Sequence, residues 1–149
     1  MQLSINRESL LKAINLIAKA ADKRHNMVIL GNMKLQLSDS ELILTASDLE
    51  VELTSTLKLP AGACVEAGTT TLPATKLKDI CKSLPAQAQV NLATQVNERC
   101  LLTSGKSRFT LGTLPSEDYP SLGNPENITP LTISRNRLTD LIHKTQFAM

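Results

Sequence analysis

The chain has 149 residues, 42% hydrophobic and 20% charged, enough for one well-buried domain with residues left over. Only Phe109, Phe147 and Tyr119 are aromatic, so the core has to be built from Leu, Ile, Val and Ala. No apolar run of about 18 residues and no basic-then-apolar leader is visible, and Cys64, Cys81 and Cys100 form an odd set without CxxC spacing, which fits free thiols in a reducing compartment and not a disulfide frame or a zinc site.

In chain order, residues 1–5 predict a strand and 6–21 a helix with Asn6 as N-cap and Leu10, Leu11, Ile14, Ile17, Ala18 and Ala21 on its apolar face. After a basic loop from Asp22 to Met27, Met33, Leu35 and Leu37 alternate with polar residues, and the turn at 38–41 leads into Leu42-Ile43-Leu44-Thr45 as a hairpin. Alternation continues with Leu49, Val51 and Leu53 against Asp48, Glu50 and Glu52, predicting another strand. Thr69 to Leu72 form the next strand, and Pro73 opens a helix with Leu77, Ile80, Cys81 and Leu84 on its apolar side. Strands are expected at 90–92, 99–103 and 108–111. A loop with Pro115, Pro120 and Pro125 follows, then a strand at 128–133 and a last helix capped by Ser134.

A repeat orders these elements. Leu3-Ser4-Ile5-Asn6-Arg7-x-x-Leu10 lines up with Leu131-Thr132-Ile133-Ser134-Arg135-x-x-Leu138, and a looser copy runs from Thr71-Leu72-Pro73-Ala74 to Ile80-Cys81. Each copy is a strand end, a helix start and an amphipathic helix. The pattern predicts an α+β class built from a duplicated β-α-β-β-β unit, with antiparallel sheets and the helices on one face of them. The expected domains are 1–125 and 126–149, the latter being the opening strand and helix of a second, incomplete unit.

Charge follows the same division. Net charge is +2, yet the helix regions 6–24, 75–84 and 134–147 hold eleven basic and four acidic residues, against five basic and ten acidic elsewhere. Positive helices and negative sheets suit a phosphate-contacting face. The helices 6–21 and 73–84 carry no aromatic residue on which bases could stack, which favours duplex over single strand and backbone contact over sequence reading. Catalysis has no foothold. Gly105-Lys106-Ser107 lacks the earlier glycine of a phosphate loop, because position 100 is Cys100; Asp48, Glu50 and Glu52 read as a solvated strand face; and His25 and His143 stand alone. No catalytic residue, metal ligand or cofactor is expected.

Four segments carry a resemblance: Val28-Ile29-Leu30-Gly31-Asn32, Thr45-x-x-Asp48-Leu49-Glu50-x-Glu52, Leu72-Pro73-Ala74 with Asp79-Ile80-Cys81-Lys82-x-Leu84-Pro85, and Ser104-Gly105-Lys106-Ser107-Arg108-Phe109-x-Leu111-x-Thr113-Leu114-Pro115. In this order the chain resembles the bacterial DNA polymerase III beta subunit, the replicative sliding clamp, from Met1 to Met149. The resemblance implies the DNA clamp fold, with antiparallel sheets outside and two amphipathic helices on the inner face, and a non-catalytic processivity factor. Its subunits close head to tail as a homodimer ring around double-stranded DNA and tether the polymerase. The polymerase and the clamp loader would bind through domains outside this chain, in the bacterial cytoplasm at the nucleoid, without a membrane. By resemblance Arg24 and Lys76 contact DNA, with Thr75 standing where the family often has Arg, and Phe109 and Leu111, flanked by Lys106 and Arg108, form the subunit seam. The residues themselves add Arg7, Lys12, Lys19, Lys23, Lys78 and Lys82 to the basic face. The competing expectation is a stand-alone interaction module that pairs through an edge strand and encircles nothing.

Overall fold

The computed structural model describes residues 1–21, 27–123 and 131–148. The first half runs β1 (Gln2–Asn6), α1 (Arg7–Ile17), a 3-10 turn at Val28–Gly31, β2 (Asn32–Leu37), β3 (Glu41–Ser47) and β4 (Glu52–Lys58). A short β5 (Cys64–Glu66) follows. The second half runs β6 (Gly68–Pro73), α2 (Ala74–Ser83), β7 (Gln89–Gln95), β8 (Arg99–Ser104) and β9 (Ser107–Gly112), and α3 (Arg135–Thr145) comes last.

The two halves exchange their leading strands. β1 does not join its own hairpins but pairs antiparallel with β7, with Leu3 opposite Leu92 and Ile5 opposite Val90. In return β6 pairs with β2, with Met33 opposite Leu72. The sheets are therefore β5-β1-β7-β8-β9 and β4-β3-β2-β6, all antiparallel. Neither half can complete its sheet alone, so the duplicated pattern yields one cooperative unit.

Local chemistry sets the helix boundaries. Asn6 is extended and its side chain accepts a hydrogen bond from Glu8 N at 2.8 Å, satisfying one of the free amides of the first turn. Leu10, Ala13, Ile14 and Ile17 recur at helical spacing and are buried. On α2 the buried set is Ala74, Leu77 and Cys81. Both helices and both sheets share one aliphatic core, in which Leu3, Leu10, Ile14, Leu35, Leu44, Leu72, Leu77 and Leu92 are essentially inaccessible. At about 25 cal/mol per Å² of apolar surface removed from water, each such leucine contributes about 1.5–3 kcal/mol.

Three sequence expectations are corrected. The first helix stops at Ile17 and does not reach residue 21; Ala18 caps it with its N–H on the Ile14 carbonyl. The alternation at 48–53 is a turn followed by a strand, because β4 begins only at Glu52. Asp48 Oδ1 accepts from Glu50 N at 3.0 Å and Val51 N at 2.7 Å, a side-chain turn that outcompetes extension and holds Leu49 at φ +75°. In the third copy, residues 131–133 form no strand, and 128–130 lie outside the described residues. Ser134 nevertheless caps α3 as expected, accepting from Arg137 N at 3.4 Å.

Candidate nucleic-acid interface and subunit edge

The N-cap at Asn6 fixes the rotation of α1. With Leu10, Ala13, Ile14 and Ile17 turned inward, Lys12, Asn15 and Leu16 fall on the outer face and are exposed, and Lys19 is exposed in the turn that follows the helix. On α2, burial of Leu77 and Cys81 turns Lys76, Asp79 and Lys82 outward, while Lys78 is half-buried. The two helices pack against each other, so exposed Lys12, Lys76 and Lys82, with Lys19 in the turn after α1, share one region with two exposed carboxylates, Glu8 and Asp79. Lys23 and Arg24 lie outside the described residues.

Arg7 is placed differently. Its Nε donates to the Cys81 carbonyl at 2.7 Å and its Nη2 to the Lys82 carbonyl at 3.2 Å. The first turn of α1 thus meets the last turn of α2, and the guanidinium occupies carbonyls that the end of a helix leaves free. Half-buried Arg7 ties the two helices together with two of its five donors. Sequence reasoning counted it only as a surface cation; its position directly after the N-cap was the available signal.

β9 ends the five-stranded sheet, and its outer edge has no partner strand among the described residues. Lys106 and Arg108 are exposed, Phe109 is half-buried against the core and Leu111 is buried within it. The apolar pair at this edge therefore serves the chain's own core first, leaving a strand backbone flanked by cations as the accessible feature. Gly105 and Lys106 form a two-residue turn between β8 and β9, with Gly105 at φ +55°, so the Gly-Lys-Ser sequence is a hairpin tip.

The carboxylates at 48–52 are divided among structural tasks. Asp48 holds its turn, Glu50 is exposed, and Glu52 Oε2 accepts from Leu122 N at 3.3 Å. No metal-holding group of three or more His, Cys, Asp or Glu occurs among the described residues. Burial pushes the thiols of Cys81 and Cys100 up to about 11, with the Arg7 charge only partly offsetting this at Cys81. They remain protonated and unreactive near neutrality.

The model of the DNA polymerase III beta subunit N-terminal domain matches residues 1–123. The chain belongs to the DNA polymerase III beta subunit family. It is 40% identical to the beta sliding clamp of Haemophilus influenzae and 38% identical to that of Escherichia coli K12, each over 149 residues, which are 100% of this chain and 40% of the relative. The chain thus spans about two-fifths of the length of the curated relatives it matches. Its fold superposes with a TM-score of 0.91 on the crystal structure of the DNA polymerase III subunit beta from Pseudomonas aeruginosa, at 38% identity, covering 100% of this chain and 39% of that one. It superposes equally, with a TM-score of 0.91, on the Caulobacter crescentus beta subunit at 31% identity, covering 99% and 39%. The α+β class expected from the residues and the clamp fold implied by the resemblance are the observed ones.

Proposed function

We propose that this chain supplies the first unit of a sliding clamp, the processivity factor of bacterial chromosomal replication. The unit spans 1–125, and 126–149 opens a second. The observation that carries this reading is the region shared by α1 and α2, with Lys12, Lys19, Lys76 and Lys82 exposed and no aromatic residue on either helix. Such a face attracts phosphate without reading bases, so neighbouring registers on a duplex have nearly equal energy and the protein can slide. Lys78, Lys23 and Arg24 belong to the same basic set by sequence, with Arg7 contributing charge from its helix-bridging position.

Closure into a head-to-tail ring would use the free edge of β9. An antiparallel partner strand gains main-chain hydrogen bonds there, and Lys106 and Arg108 favour an acidic partner edge. The polymerase and the clamp loader would bind the remainder of the ring. The role is non-catalytic and belongs to the bacterial cytoplasm at the nucleoid: tethering raises the effective concentration of polymerase at the primer end. The same open edge also favours a second function, an interaction module that pairs strands without encircling DNA.

Native mass separates the two. An antibody against this segment should detect, in source cells, a product more than twice the 16.2 kDa of this chain. A single product near 16 kDa would overturn the ring and leave the edge-pairing module.

A further inference from the structure

We propose that residues 113–122 are a strap, latched by the Tyr119 hydroxyl, that fixes the direction in which the chain leaves the first unit. The segment contributes no strand and holds only a short 3-10 turn at Ser116–Asp118. It is nonetheless bonded to every strand of the four-stranded sheet. On β6, Thr71 Oγ1 donates to the Leu114 carbonyl at 2.9 Å and accepts from Leu114 N at 3.0 Å. On β3 and β2, the Tyr119 hydroxyl accepts from Ser47 N at 3.1 Å and donates to the Asn32 carbonyl at 3.3 Å. At β4, Glu52 takes the amide of Leu122. Thr113 N also donates to the Glu98 carbonyl, at 2.9 Å, in the turn before β8 of the other sheet.

The latch is built from groups that cannot be satisfied locally. Pro73 faces Asn32 across the β2–β6 pair and has no N–H to offer. Ser47 is the last residue of β3 and is fully buried. One phenol hydroxyl satisfies both strand ends, donating to one and accepting from the other. Asn32 Nδ2 extends the network by donating to Thr71 Oγ1 at 3.0 Å, so both anchors of the strap are joined through a single buried asparagine. Tyr119, Asn32, Ser47 and Thr71 are all buried, and loss of the hydroxyl would strand a donor and an acceptor away from water.

A ring of successive units needs each unit to leave the last at a fixed angle. The purpose assigned here rests on the ring reading; the strap's geometry does not. The strap ends at Leu122, next to Glu52 at the start of β4, so the exit point is tied to one corner of the sheet.

The test uses the 149-residue chain. Tyr119→Phe keeps the ring and removes only the hydroxyl. Hydrogen exchange should accelerate about tenfold at the amides of 113–122 and at Ser47, with α1 and β7–β9 unchanged. Unchanged strap amides, or a uniform rise over both sheets, would overturn the latch. Spin labels at Gln36→Cys and Leu122→Cys, with Cys64→Ser, should give a distance distribution that broadens in Y119F; equal widths would overturn the directional role. Glu52→Ala, at the solvent-facing anchor, should free the Leu122 amide alone. No change there would equally count against the strap, should Y119F not fold. These readouts involve no DNA, so their failure is distinct from failure of the ring.

Discussion

Arg7 Nε lies 2.7 Å from the carbonyl oxygen of Cys81, joining the first turn of one helix to the last turn of the other. A charged donor on helix-end carbonyls complements the negative end of the α2 dipole. Arg7→Ala should therefore destabilise the fold by about 1–2 kcal/mol in urea unfolding. Arg7→Lys should recover less than half of the loss, since an ammonium cannot reproduce the planar fork. Neither change should alter the slope of duplex affinity against salt by as much as neutralising Lys12 does.

The exposed lysines should behave in the opposite way. Replacing Lys12, Lys19, Lys76 or Lys82 by Gln should leave stability within about 0.5 kcal/mol. Each replacement that removes a phosphate contact should reduce the slope of log affinity against log salt by about 0.9. Titrations of a random-sequence duplex at several salt concentrations check this, and the losses should not depend on base sequence.

Alkali should unfold the protein through three buried acids. Cys81 and Cys100 ionise at about 11 against an ordinary 9.0, and burial likewise raises Tyr119 above its ordinary 10.0. A folded pKa above the unfolded one means that the unfolded chain gives up its proton first. The stabilisation is then whole below about pH 9 and lost as pH rises through the folded values. Thermal unfolding followed from pH 8 to 11 should show a falling midpoint. Cys81→Ala with Cys100→Ala should flatten the part of that fall due to the thiols and leave the tyrosine part above pH 10.

Core truncation should be costly at the helix contacts shared by both halves. Leu77→Ala, at a fully buried position, should cost about 2–5 kcal/mol by equilibrium unfolding. Because the halves exchange strands, the loss should appear as one cooperative transition with both sheets melting together, as followed by exchange at β3 and β8.

The last helix is expected to be the least protected element. Leu138, Leu141 and Ile142 are 46%, 49% and 52% exposed on α3, against the buried Leu10, Ala13 and Ile14 at matching places on α1, and Phe147 in the turn after α3 is 86% exposed. Amides of 135–145 should exchange at least about a hundredfold faster than those of 10–17, since an isolated helix of this length is marginal in water.

Much of this architecture is legible in the sequence because it depends on local rules. Asn6 and Ser134 declare helix starts, the Leu10-Ala13-Ile14-Ile17 spacing declares a buried face, and the threefold recurrence declares the duplication. Strand exchange between β1 and β6 leaves no such trace, because either sheet would satisfy the same period-two pattern. The Asp48 turn was hidden by an alternation that it happens to continue, and only the carboxylate's two amide partners break the strand. The candidate site divides in the same way. Helical phase assigns Lys12, Lys76 and Lys82 to the outer faces, whereas Arg7 looks like any surface cation until the end of α2 is placed beside it. Leu111 is assigned to the seam by resemblance alone; its burial in the chain's own core is not legible, because a strand's alternation does not say which of its faces the core takes.

Topology offers the most direct test of the sliding-clamp proposal. The native protein carrying this sequence would be loaded on nicked circular duplex DNA, freed of loader and nucleotide, and its retention timed before and after a single linearising cut. A ring that contacts only phosphates should persist on the circle and be lost from the ends within minutes of cutting. Equal loss from circular and linear DNA would contradict encirclement.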